Sequence, residues 1–320
     1  MKNKFAIIEI GSYNTKTHVY EKNKLIYENN ATIKFKSNYN ENNKISNEDL
    51  ELLYKEIEKA LKYTDNIHLY GCSIFRNISD KELDEINQSI YKKYKIKIEV
   101  VSQEDEAKYT ALGCYSRIDY PGNICIFIGG GGSIELIFVK EKEVIEKHYY
   151  NFGVVDVTNK FESLKEEIPT CTFDEVYDYV GNLIKDIKTK ADILILAGGD
   201  HFYWYNNAGY KLLKNTVYKN ENQKYMITKE LSDQYDRNAL VASLEKIRNN
   251  SDNPSWFDGS RAMKVITNFI SNKIDAKFII PTKVNMEDGI KEIYKINYIK
   301  PFNMFPRTYH CESIVVLERK

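Results

Sequence analysis

Twice in this chain an apolar strand enters a glycine turn and a second strand leaves it, at Ile7 to Val19 and again at Ile124 to Val139. Each pair is followed by one more strand, Lys24 to Asn29 and Glu143 to Tyr149, so the sequence predicts two antiparallel meanders of like order. Mixed helices and single strands follow both. The repeat predicts an α/β chain of two similarly wound halves, dividing near Tyr120-Pro121-Gly122 into residues 1–121 and 122–320. A length of 320 residues supplies enough chain for two cores.

The second turn is the richer one: Gly129-Gly130-Gly131-Gly132-Ser133 between two apolar strands. A two-residue hairpin is satisfied by one or two glycines. Four in series imply backbone passing through φ > 0 and bare N–H groups presented to a ligand, most often an oxyanion such as phosphate.

Capping signals place the helices. Ser46-Asn47-Glu48-Asp49 opens one to about Tyr63, with Leu50, Leu53, Ile57 and Leu61 at helical spacing. Asn66 to Tyr70 reads as a strand ending in Gly71-Cys72-Ser73, and Ser79-Asp80-Lys81-Glu82 opens a helix to about Tyr94. Lys97 to Val101 is a strand, after which Ser102 caps a helix whose first turn carries Glu104, Asp105 and Glu106. In the second half a helix is expected over Phe173 to Lys190 and a strand over Asp192 to Leu196, leading to Gly198-Gly199-Asp200.

Several function classes are disfavoured by composition. Lys+Arg and Asp+Glu both number 46, so net charge gives no case for nucleic acid or an acidic membrane. No apolar run approaches membrane-spanning length. The start, Met1 to Gly11, contains Glu9 and enters a glycine turn, so it reads as a first strand rather than a signal peptide. Five cysteines, scattered and without a CxxC pair, fit free thiols in a reducing cytoplasm. The five histidines show no metal-ligand spacing.

Six segments in collinear order from Phe5 to Tyr294 then become familiar. They are Glu9-Ile10-Gly11-Ser12-Tyr13-Asn14, Ser73-Ile74-Phe75-Arg76, Val101 to Ala107 with Leu112-Gly113, Phe127 to Leu136, Gly153 to Thr158, and Asp288 to Ile293. Together they resemble the actin/hexokinase/heat-shock-type ATPase superfamily and, within it, the exopolyphosphatase and guanosine pentaphosphate phosphohydrolase (Ppx/GppA) family. The resemblance implies two ribonuclease H-like (actin-like ATPase) domains with mixed sheets flanking a central cleft. It implies release of terminal phosphate from polyphosphate or guanosine pentaphosphate by Mg²⁺-assisted attack of water. A homodimer is an assembly state it allows.

Hydrolysis of a phosphoanhydride needs donors around the phosphoryl group, a cation to offset charge, and a carboxylate to orient water. On the resemblance, Gly11, Ser12, Asn14, Arg76, Gly130, Gly131, Gly132 and Ser133 would bind phosphate. The family's water-orienting acid maps to Asp105, with Glu106 as second candidate. Glu9 and Glu135 would stand on the Mg²⁺ side. The chain also departs from the family pattern. An aspartate of the second loop falls on Phe127 or Ile128 depending on alignment, the loop carries one extra glycine, and Asp156 stands where the family has arginine. Gln103 replaces a glycine, and Lys16 stands for an arginine. Such losses weaken metal-assisted hydrolysis more than phosphate binding, which keeps a phosphate-ligand sensor as the alternative. A small-molecule kinase would need a general base and an adenosine pocket, for which Gly198-Gly199-Asp200 is the single hint.

Overall fold

The computed structural model describes residues 4–11, 14–22, 24–198, 201, 205, 210–240, 242–248 and 258–296. Two compact units divide the chain: Met1–Glu106 with Ile290–Lys320, and Ala107–Gly289. Packing thus draws the division earlier than residue 121. Ala107, Ala111 and Cys114 belong to the apolar core of the second unit, which also holds Ile124, Ile126 and Ile193.

In the first unit, β1 (Lys4–Ile10), β2 (Asn14–Glu21) and β3 (Lys24–Thr32) form the expected meander. β4 (Ile67–Gly71) and β5 (Ile98–Val100) complete a sheet ordered β3-β2-β1-β4-β5. β1, β4 and β5 run parallel, while β2 and β3 are antiparallel to their neighbours. Helix α1 (Phe35–Asn42) was not marked by any cap in the sequence. α2 (Asn47–Leu61) and α3 (Asp80–Tyr94) begin where their serines predict, with Ser46 and Ser79 accepting from the amides of Asp49 and Glu82. α2 buries Leu53, Ile57 and Ala60 against the sheet, while Leu61 turns outward at 38% exposure. α4 (Gln103–Tyr115) follows β5.

The second unit repeats the plan. β6 (Ile124–Gly129), β7 (Ile134–Lys140) and β8 (Glu143–Tyr150) form the second meander. After α5 (Val154–Lys160) and α6 (Phe173–Leu183) comes β9 (Ile193–Ala197). β10 (Leu213–Lys214), β11 (Tyr225–Thr228) and β12 (Phe278–Pro281) complete a seven-stranded sheet, β10-β11-β12-β9-β6-β7-β8. Read from β8 to β12, this is the strand order of the first unit, again with three parallel strands, β6, β9 and β12. The duplicated plan expected from the two meanders is therefore present at the level of topology.

Helix α6 stops at Leu183, seven residues short of the expected end. The next segment is bound to other elements instead. Ile184 and Ile187 are buried, Lys185 accepts a hydrogen bond from the Tyr150 hydroxyl, and the Ala191 amide donates to Ile274. Tertiary contacts override helix propensity there. Helices Lys229–Ala239, Ser260–Lys273 and Met286–Ile296 complete the described elements that bear on the site. Two glycines from distant segments meet in this unit. A Cβ at Gly289 would lie 1.7 Å from the Tyr109 carbonyl oxygen, and one at Gly113 would lie 2.9 Å from the Gly289 nitrogen. Neither position tolerates a side chain without moving backbone.

Candidate active site

Parallel strands with like ends bring the sequence motifs of the first unit to one sheet edge. β1 ends in the hairpin of Gly11, β4 ends in the 3-10 turn Ser73–Arg76, and β5 ends in Val101-Ser102 and α4. This carboxyl-terminal edge is where open α/β sheets place ligands. Gly71 permits the approach of these elements, since a Cβ there would lie 2.7 Å from Ile98 and 3.0 Å from Phe75.

The first hairpin is closed by the Gly11 amide donating to the Asn14 carbonyl at 2.9 Å. Gly11 therefore shapes the turn and does not offer its N–H to a ligand, contrary to expectation. Ser12 lies outside the described residues. Asn14 opens β2 opposite Thr32. Glu9 pairs across the strands with Lys16, Nζ to Oε1 3.6 Å.

The acids of α4 separate into two roles. Asp105 closes the helix cap: its amide donates to Ser102 Oγ at 3.0 Å, and that hydroxyl donates to Asp105 Oδ2 at 2.8 Å. Glu106 instead meets Arg76, whose Nη1 donates to Glu106 Oε2 at 2.6 Å and to the Val101 carbonyl at 3.1 Å. Both side chains remain partly exposed, at 25% and 30%. The structure thus brings Arg76 and Glu106 together and leaves Asp105 engaged with its own helix terminus.

In the second unit the glycine hairpin is a two-residue turn. The Gly130 amide donates to the Ser133 carbonyl at 3.0 Å, with Gly131 and Gly132 at the tip. None of the four glycines has φ in the left-handed range, so conformational freedom is not what the run supplies. At Gly129 close approach is: a Cβ there would lie 2.3 Å from the Phe127 ring, and Gly153 packs directly on the turn. The first amides of α5 donate to the turn's carbonyls, Val154 to Gly130 at 3.1 Å and Val155 to Gly131 at 2.9 Å. With those carbonyls turned toward α5, the amides of Gly131, Gly132 and Ser133 carry no hydrogen bond among the described residues. Gly130, Gly131 and Gly132 are exposed. Three adjoining open amides make a concavity of partial positive charge suited to an oxyanion. The Gly130 amide, like that of Gly11, is engaged in closing its own turn.

Asp156 also has a local use. Its Oδ2 accepts from the Gly153 amide at 2.8 Å, capping α5. By its charge alone this position is only a reversal of the family's arginine. The Gly-x-x-Asp spacing was the available sign of a cap.

Strand register settles where an acid beside Glu135 would have to stand. Ile128 lies opposite Glu135, on the same face, whereas Phe127 points to the other side of the sheet. Phe127 is fully buried, with its ring 5.4 Å from that of His201 in an edge-on contact. Burial, with the Lys264 charge second, pushes the His201 pKa down to about 3. Gly199, Asp200, Tyr203 and Trp204 lie outside the described residues. Glu135 itself is buried. Among the described residues no group of three or more His, Cys, Asp or Glu side chains could hold a metal ion. Lys16 lies against Glu9, and Ile128 stands beside Glu135.

The family model for Ppx/GppA phosphatases matches residues 16–250. The chain belongs to the Ppx/GppA phosphatase family. The solved Ppx/GppA protein of Aquifex aeolicus has a TM-score of 0.73 at 19% identity, covering 92% of this chain and 99% of that one. An exopolyphosphatase from Cytophaga hutchinsonii has a TM-score of 0.67 at 13% identity, covering 91% and 97%. These likenesses establish a shared α/β fold. A bifunctional 3-dehydroquinate synthase/phosphatase from Fusobacterium nucleatum is 29% identical over 147 residues, which is 43% of this chain and 22% of that protein. Among the described residues no helix is long and apolar enough to cross a membrane. Cys72, Cys114, Cys125 and Cys171 are free thiols.

Proposed function

We propose that this Ppx/GppA protein is a phosphohydrolase that releases terminal phosphate from polyphosphate or guanosine pentaphosphate. The observation that carries this reading is the pairing of Arg76 with Glu106, a guanidinium suited to phosphate beside a carboxylate able to orient water. The open amides of Gly131, Gly132 and Ser133 support it, as donors for a phosphate oxygen.

Within the reading, Glu106 rather than Asp105 is the water-orienting acid. Asp105 already accepts from Ser102 and caps α4. Arg76, beside Glu106 in the first unit, offsets phosphate charge. A magnesium ion would arrive on the oxygens of the phosphate chain and water, as Mg²⁺ commonly does.

The absence of an acid at Ile128 favours a second reading, a phosphate-ligand sensor that binds without turnover. Phosphate release from polyphosphate and guanosine pentaphosphate, assayed side by side with Mg²⁺, separates the two. Release that disappears in Glu106→Gln supports the hydrolase. Ligand-dependent thermal stabilisation without release supports the sensor.

A further inference from the structure

We propose that Arg76 divides its donors between two tasks, holding the Glu106 carboxylate with one edge and leaving the other edge for phosphate. It is then a positioning residue for the water-orienting acid as well as a phosphate ligand. The inference rests on the reading of Arg76 and Glu106 as parts of a phosphohydrolase site.

Nη1 makes both hydrogen bonds of this arginine among the described residues, to Glu106 Oε2 at 2.6 Å and to the Val101 carbonyl at 3.1 Å. Two acceptors on one nitrogen fix the plane of the guanidinium. Both acceptors are themselves anchored. Val101 follows β5 and donates its amide to Gly71 at 2.9 Å, and the Glu106 amide donates to the Ser102 carbonyl at 2.9 Å in the first turn of α4. Arg76 therefore ties the end of β5 to the first turn of α4 by its side chain. The Nε–H and the Nη2 hydrogens have no partner among the described residues. That open edge is the one that grips phosphate with two parallel hydrogen bonds.

A lysine cannot reproduce this division. Its ammonium keeps the charge, but it has no second edge and no plane to fix. Charge alone retains much of the attraction for polyphosphate, whereas a carboxylate freed from its partner loses its aim. Misplacement by about 1 Å costs on the order of 10²-fold in rate. Binding and turnover should therefore separate in Arg76→Lys.

The experiment measures tripolyphosphate hydrolysis by wild type, Arg76→Lys and Arg76→Ala, the last with and without added guanidinium ion. In the same proteins without substrate, NMR of labelled arginine side chains reports whether Nη1 and Nη2 exchange, compared with Glu106→Gln. The expected result is a kcat lower by about 10²-fold in Arg76→Lys with KM changed by less than about 10-fold, and partial rescue of Arg76→Ala by guanidinium. Wild-type Nη signals should be distinct and should exchange faster in Glu106→Gln. A KM rise with kcat unchanged, or Nη exchange indifferent to Glu106, overturns the division of tasks. If wild type releases no phosphate, the proposed function falls while the NMR arm still decides whether Glu106 fixes Arg76.

Discussion

Replacing Gly153 with alanine drives a methyl group into the backbone of the glycine hairpin. Gly153 has φ −150° and ψ −160°, a conformation open to any residue, so the penalty is steric and not torsional. The added Cβ would lie 2.4 Å from the Gly130 oxygen and 2.6 Å from both the Gly131 carbonyl carbon and the Gly132 nitrogen. All three atoms are main chain and cannot rotate away. Overpacking of this kind costs about 1–3 kcal/mol. Relief by separation would stretch the hydrogen bonds from Val154 and Val155 to the turn, each contributing about 0.5–1.5 kcal/mol. The combined loss is about 2–6 kcal/mol, or roughly 4–24 °C in the melting temperature of a unit of this size. Thermal unfolding followed by circular dichroism measures it, with Gly130→Ala as the control. A Cβ at Gly130 meets nothing within 4 Å, so that variant should stay within about 0.5 kcal/mol of wild type. Equal melting temperatures for wild type and Gly153→Ala, or a larger loss in Gly130→Ala, would refute the seating of the hairpin on α5.

Other expectations follow from single contacts. Asp156→Ala removes the acceptor of the Gly153 amide and should destabilise by about 1 kcal/mol, read as a lower urea midpoint. His201 has its pKa lowered to about 3 by burial, so the unfolded chain binds a proton that the native state refuses. Stability from this group is complete above pH 6.5 and is lost as pH falls toward 3, about 2 kcal/mol by pH 5. His201→Leu should flatten that acid limb in urea titrations, and an unchanged limb would contradict the assignment. Ile128→Asp places a carboxylate opposite Glu135 and should create a Mg²⁺-dependent rise in melting temperature that wild type lacks. A Mg²⁺ response in wild type equal to that of the variant would show that the second acid is not needed.

Much of the fold is legible because each meander is written in strand–turn–strand alternation and because Ser46, Ser79 and Ser102 announce their helices. The division of the chain is not legible, since α4 sends Ala107, Ala111 and Cys114 into a core with residues beyond 121. Periodicity alone could not end α6 at Leu183, because the next residues are held by Tyr150 and Ile274. At the site, the hairpins, Arg76 and the acidic turn are legible as local motifs, whereas the backbone groups already engaged within them are not. Gly11 and Gly130 close turns, Gly129 is packed against the Phe127 ring without left-handed φ, and Asp156 caps a helix. Such assignments depend on which backbone groups are already engaged, and only the folded chain shows that. The choice between Phe127 and Ile128 likewise needed the register against Glu135.

Phosphate release by the purified protein with Asp105→Asn and Glu106→Gln compared in one assay tests the central claim most directly. Wild type should release phosphate, with a fall of about 10²–10⁴-fold in Glu106→Gln and a far smaller effect in Asp105→Asn, whose amide still caps α4. Loss of release in Asp105→Asn with Glu106→Gln unaffected, or no release by wild type from either polyphosphate or guanosine pentaphosphate, would contradict it.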